Sequence, residues 1–170
     1  MHMCITAENI SDKHQLTREE QDAFSFESQR RAINAIDQGR FKDEIVPIVI
    51  KTRKGEVIFD TDEHPNRSTT LEILGKLRTA FKKDGTVTAG SSSGINDGAS
   101  LTIIVSEEAV KKYNLEPLAE IIEVGQGGVD PNFMGLGPVP AIHQLLKRAD
   151  VALTDVELVE LNEAFASQSL

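Results

Sequence analysis

The sequence predicts an α/β fold built from helices layered on a sheet, on three observations. From Val87 onward, strand-like apolar runs alternate with helix-like segments, the order that packs helices against a sheet. Residues 101–105 (LTIIV) have the β-branched, apolar content of a buried strand and follow a small-residue loop, VTAGSSSGINDGAS, at residues 87–100. The 170 residues are 39% apolar and 26% charged, the composition of a soluble globular chain forming one domain or one large fragment.

The first ten residues, MHMCITAENI, hold no charged or apolar block of their own. Thr17-Arg18-Glu19-Glu20 reads as a capping box, and the helix it opens runs to about Ile36, with Phe26, Ile33 and Ile36 near one face. Gly39 ends it. Residues 45–50 form a strand candidate whose Pro47 requires an edge, and the Lys54-Gly55 turn leads into Val57-Ile58-Phe59, so residues 45–60 read as a hairpin. Residues 107–112 suit a short helix with acids at its positive end. Residues 118–124 are a second strand candidate, broken by Gly125-Gln126-Gly127-Gly128. After the loop DPNFMGLGPVPA at 130–141, Pro140 sits near a first helical turn, and Ile142, Leu145, Leu146 and Ala149 follow at helical spacing. Thr154-Asp155-Val156-Glu157 offers another capping box, residues 158–161 a strand, and Asn162 an N-cap for a closing helix.

Glycines 90, 94 and 98 in the 87–100 loop allow a ligand to lie against bare backbone N–H groups; a purely connecting loop has the same composition. The net charge of −9 disfavours nucleic acid or an anionic membrane as a partner. A single cysteine, Cys4, leaves no internal disulfide and fits a reducing, cytoplasmic setting. No apolar run reaches membrane-spanning length, the N-terminus lacks a signal-peptide core, and no metal site is expected. Between positions 65 and 83, Arg67, Lys76, Arg78, Lys82 and Lys83 face only Glu72. This basic island suits either the phosphates of a nucleotide-containing ligand or a solvated surface. The segment has no GxxxxGK[ST] pattern.

MHMCITAEN, GRFKDEIVPIVIK, VTAGSSSGINDGAS, DPNFMGLGPVPA and LVELNEAFASQ stand in an order and spacing that resemble the thiolases, over essentially the whole chain. The resemblance implies a layered αβαβα fold, present in part, with an inserted loop domain that covers coenzyme A. Residues 1–86 would then hold the end of the N-terminal half plus that loop domain, and residues 87–170 the first part of the C-terminal half. It implies a coenzyme A thioester, acetyl-CoA or another acyl-CoA, as substrate, no separate cofactor, and a homodimeric or homotetrameric full-length protein. By the same resemblance His2 and Met3 line the coenzyme A and acyl tunnel, Ser93 and Gly94 contact the pantetheine arm, and Met134 and Phe165 shape the acyl pocket. Asn162 would hold an oxyanion-hole water, and Arg67 would serve the adenine and phosphate end. The family's arginine aligns one position earlier, with Asn66. Ser91 and Ser92 stand where related loops carry asparagine and alanine, small replacements expected to keep the loop's shape.

The family's nucleophilic cysteine falls upstream of Met1, and its Gly-His-Pro histidine and second cysteine fall downstream of Leu170. Cys4 stands where thiolases carry glycine and has no evident base beside it, and His64 and His143 match no catalytic position of the family. Three readings follow: a thiolase segment that is inactive alone, a non-catalytic coenzyme A-binding or interaction module, or a ketoacyl synthase of the same superfold. The NEAFA motif and the loop segment favour the thiolase over the last.

Overall fold

The computed structural model describes residues 2–79 and 81–170. The chain divides into two compact units, one of Met1–Gly94 with Asn162–Leu170 and the other of Ile95–Leu161.

In the first unit, helix α1 spans Met3–His14, and His2 caps it by accepting the Cys4 N–H at Nδ1, 3.2 Å away. Gln15, at φ 56°, closes it in the left-handed region. This helix had no signal in the sequence because its inner face is small and polar: Thr6, Ala7, Glu8 and Ser11 are buried there beside Cys4 and Ile10. Helix α2, Arg18–Asp37, opens on the expected capping box. Thr17 Oγ1 accepts the Glu20 N–H at 3.1 Å and Glu20 Oε2 accepts the Thr17 N–H at 2.7 Å. Gly39, at φ +69°, follows its end.

Strands β1, Ile48–Thr52, and β2, Gly55–Phe59, form an antiparallel pair in the register Ile48↔Phe59 to Thr52↔Gly55. The expected hairpin is present, beginning just past Pro47, which has no N–H to offer a ladder. Helix α3, Leu71–Gly75, is capped by Thr70 and buries Leu74. Arg18 of α2 ties it down by donating to the carbonyls of Leu74 and, at 3.2 Å, Leu77.

A single 3-10 turn at Ala89–Ser91 follows Thr88, and helix α6, Ala166–Ser169, completes the unit; α4, Glu107–Tyr113, and α5, Pro138–Ala149, belong to the second. The apolar core of the unit is Cys4, Ala7 and Val87, with Phe165 packed on it.

In the second unit, helix α4, Glu107–Tyr113, is capped by Ser106, and helix α5, Pro138–Ala149, carries Pro at its first turn as expected. Residues 125–127 run close along α5. A Cβ on Gly125 would stand 2.3 Å from the Ala141 carbonyl oxygen, and one on Gly127 would stand 2.6 Å from the Ala141 nitrogen.

Several expectations are corrected here. Residues 101–105, 118–124 and 158–161 are not paired into a sheet among the described residues. A strand exists by hydrogen bonding to a neighbour, and these segments leave Leu101, Leu118 and Leu158 exposed instead. The Thr154 capping box does not open an α-helix: Leu153–Asp155 makes one 3-10 turn, with Asp155 Oδ2 accepting the Ala152 N–H at 3.3 Å, and Val156 returns to extended backbone. Asn162 is not an N-cap either. Helix α6 starts at Ala166 because an antiparallel bridge to Ser92 keeps Phe165 extended, at φ −144° and ψ 142°.

Candidate functional site

Two loops meet over α1. The Ser93 N–H donates to the Ala164 carbonyl at 3.0 Å, and the Ser92–Phe165 bridge lies beside that bond. The 91–94 and 162–165 segments are thereby locked side by side, with Phe165 reaching down to Cys4 and Ala7 of α1.

The Gly/Ser loop owes its place to a buried carboxylate. Glu8 of α1 is fully buried and accepts the Thr86 N–H at both oxygens, 3.0 and 2.9 Å, and the Val87 N–H at 2.9 Å. The Thr86 hydroxyl adds a contact at 3.2 Å. A carboxylate satisfied by backbone donors is tolerated in an interior that would otherwise reject it. Gly85 is required beside it, since a Cβ there would stand 2.3 Å from Glu8 Oε1. Gln21 of α2, also fully buried, donates to the Thr86 hydroxyl at 2.9 Å and the Ser11 hydroxyl at 3.2 Å. Beyond Val87 the loop folds on itself: Ser91 Oγ accepts the Thr88 N–H at 2.9 Å and the Ser92 hydroxyl donates to the Thr88 carbonyl at 2.7 Å. The two serines that depart from the related loops therefore supply its internal hydrogen bonds. Ser93 and Gly94, one step on, are exposed.

Among the other residues singled out, His2 is exposed and stacks on Phe81, with ring centroids 4.6 Å apart and planes inclined by 19°. Met3 is half exposed at the same helix end. The Asn162 side chain is exposed, while its carbonyl accepts the Ala164 N–H at 3.0 Å. The imidazole of His64 lies on Gly94, its Cε1 2.4 Å from where a Cβ would be. Met134 belongs to the second unit, in the 3-10 turn Pro131–Leu136, and is exposed.

The basic island is largely engaged by acids. Arg67 forms a two-pronged pair with Asp37 at 2.5 and 3.1 Å, holding the Asp37 carboxyl below its ordinary range. That pair borders a cleft of about 320 Å³ lined also by Phe26, Gln29 and Ile33. Lys82 pairs with Asp12 at 2.5 Å, which raises the lysine, and Lys76 pairs with Glu72 at 2.5 Å. Among the described residues, Arg78 and Lys83 are exposed and form no ion pair.

Cys4 is the chain's one thiol. It is 7% exposed, and burial pushes its pKa above the ordinary value. A thiol kept protonated is a poor nucleophile. Sequence reasoning gave no role to Glu8, Ser28 or Glu163, although Glu8 and Glu163 lie within the MHMCITAEN and NEAFA motifs. The last two join α2 to the 162–165 turn, the Ser28 hydroxyl donating to Glu163 Oε2 at 2.5 Å. Their partners lie far away in the sequence, and no local pattern reveals those pairings.

Comparison with known proteins gives a consistent result. Residues 1–108 match the family model of the thiolase N-terminal domain, and residues 115–170 match that of the thiolase C-terminal domain. Acetyl-CoA acetyltransferase of Syntrophomonas wolfei is 55% identical over 169 residues, 99% of this chain and 42% of the relative. The crystal structure of the Bacillus anthracis acetyl-CoA acetyltransferase superposes with a TM-score of 0.90 at 48% identity, covering 99% of this chain and 43% of that one. Human mitochondrial 3-ketoacyl-CoA thiolase in complex with CoA superposes at 0.88 with 51% identity, covering 99% and 42%. The chain thus spans less than half the length of the relatives it matches.

Proposed function

The chain belongs to the thiolase family, and from that premise we propose that it supplies a coenzyme A thioester-binding wall of an acyltransferase. The family reaction joins two acetyl-CoA molecules into acetoacetyl-CoA and coenzyme A, or runs in reverse. The observation that carries this reading is the lock between the 91–94 and 162–165 segments, made by the Ser93–Ala164 hydrogen bond and the Ser92–Phe165 bridge. Asn162 precedes the locked segment by two residues and is exposed, as are Ser93 and Gly94, which supports reading these residues as one rim. A carboxamide at such a rim orients a water toward a thioester oxygen, where negative charge develops as the carbonyl is attacked.

Roles taken from the resemblance for His2, Met3, Met134 and Phe165 are part of the proposal, as are a homo-oligomeric assembly and a cytoplasmic location. Coenzyme A enters as part of the substrate, and neither a separate cofactor nor a nucleic acid or membrane partner is invoked. For the phosphate end the reading favours Arg78 and Lys83, which form no ion pair among the described residues, over Arg67 and Lys82, whose charges Asp37 and Asp12 already answer. The buried Cys4 favours binding without catalysis for this chain by itself.

The test is calorimetric titration of the chain with coenzyme A and with pantetheine. Coenzyme A is expected to bind more tightly, with an advantage that fades as salt rises. Replacing Arg78 and Lys83 by glutamate is expected to remove that advantage. Equal affinities for the two ligands would exclude the phosphate contact, and no binding of either would overturn the reading.

A further inference from the structure

The 162–165 turn is anchored unevenly. On its C-terminal side Ala164 and Phe165 are bonded to the Ser92–Ser93 backbone, Phe165 packs on the core, and the Ser167 hydroxyl donates to the Ala7 carbonyl at 3.3 Å. On its N-terminal side, where Asn162 sits, one side-chain tether to the rest of the unit is present among the described residues: the Ser28 hydroxyl on Glu163 Oε2 at 2.5 Å. Besides it, the Asn162 carbonyl accepts the Ala164 N–H at 3.0 Å, a bond within the turn that does not tie residues 162–163 to another element.

We infer that Ser28 and Glu163 are positioning residues, whose hydrogen bond fixes the turn so that the Asn162 carboxamide is held in place beside the Ser93–Gly94 backbone. This rests on the role proposed above for Asn162. A hydroxyl donating to an ionised carboxylate makes a short, charge-assisted bond, and both ends are suited to it. Ser28 lies mid-way along α2, a helix held at its start by a capping box, so the donor is on a rigid element. The neighbouring Glu27 would repel a second carboxylate, but Arg30 and Arg31 grip it at 2.7 and 2.6 Å. That local neutralisation lets Glu163 approach the helix.

Amide hydrogen exchange, followed residue by residue by NMR on the full chain, tests the tether. In Ser28→Ala, exchange at Glu163, Ala164 and Phe165 is expected to quicken about three- to tenfold, the worth of one such bond. Amides of α1 are expected to stay unchanged, which separates a local effect from failure to fold. Ser28→Thr keeps the hydroxyl and is expected to restore slow exchange; Glu163→Gln keeps an acceptor and is expected to give a smaller change. In parallel, the ratio of acetyl-CoA to coenzyme A affinity is measured for Ser28→Ala and Asn162→Ala, and both are expected to shift it in the same direction. Unchanged exchange in Ser28→Ala overturns the inference. So does a ratio that moves with Asn162→Ala and not with Ser28→Ala. If Asn162→Ala itself leaves the ratio alone, the thioester role of Asn162 has failed, and the exchange rates decide whether the tether exists.

Discussion

Glu8 receives the Val87 N–H at 2.9 Å with both residues completely shielded from water, so the first helix and the segment that feeds the Gly/Ser loop are joined through a buried carboxyl group. No cation pairs with Glu8 among the described residues; its partners are backbone and hydroxyl donors.

Removing that carboxylate is expected to be severe. Glu8→Ala strands the Thr86 and Val87 N–H groups in the interior, at a cost of about 2–5 kcal/mol together. For a domain whose whole stability is about 5–15 kcal/mol, the urea midpoint falls sharply. Glu8→Gln keeps one acceptor oxygen and is expected to fall between. Equal midpoints for all three proteins would show that the carboxylate does not hold the loop.

Acid is expected to loosen α2 at its surface. Hydrogen bonds from Arg30 and Arg31 bring Glu27 down from 4.5 to about 2, Thr17 lowers Glu20, and Arg67 lowers Asp37. A carboxyl depressed in the folded chain adds stability above its unfolded pKa and loses it as pH falls toward the folded one. The loss therefore runs from about pH 4.5 down to about 2. It is modest because these groups face solvent and are screened by salt. Urea unfolding at several pH values checks it, and Glu27→Gln is expected to flatten the lower part of the curve.

The chain alone is expected to catalyse neither condensation nor thiolysis. A covalent acyl transfer needs a reactive thiolate, and the one cysteine here, Cys4, is buried with its pKa raised. A coupled acetoacetyl-CoA thiolysis assay is expected to show no turnover above buffer, in the parent and in Cys4→Ser alike. Turnover that vanishes with Cys4→Ser would make Cys4 the nucleophile despite its burial.

Self-association is expected as well. Ile103, Ile104, Leu118, Ile122 and Leu158 all stand exposed on segments without a sheet partner among the described residues. Apolar extended segments with open backbone groups pair readily with other chains. Size-exclusion light scattering is expected to give broad, concentration-dependent masses; a sharp monomer peak with cooperative melting would refute this.

The sequence was most legible where short-range chemistry decides the outcome. Thr17 and Glu20 announce their capping box three residues apart, Lys54-Gly55 announces a hairpin, and Ile142 to Ala149 display a helical stripe. Helix α1 was silent because its buried face is built from Thr6, Glu8 and Ser11, whose partners are more than seventy residues away in the case of Glu8. Residues 101–105 and 158–161 carry strand composition truthfully, but composition does not supply the neighbour that turns an extended segment into a strand. Of the rim, the 91–94 loop and the NEAFA segment were visible as motifs. Their mutual hydrogen bonds, and the Ser28–Glu163 tether, depend on the fold's bringing distant residues together.

The burial of Cys4 gives the molecule a chemical clock. Its sulfur lies among Ala7, Val87 and Phe165, so an alkylating reagent reaches it only when the helix end, the 86–88 segment and the NEAFA segment part. Each labelling event therefore counts one opening of the place where both rim segments are rooted. A bound acyl-CoA that braces the rim slows that count, and since a thioester has no free thiol of its own, the reading belongs to the protein.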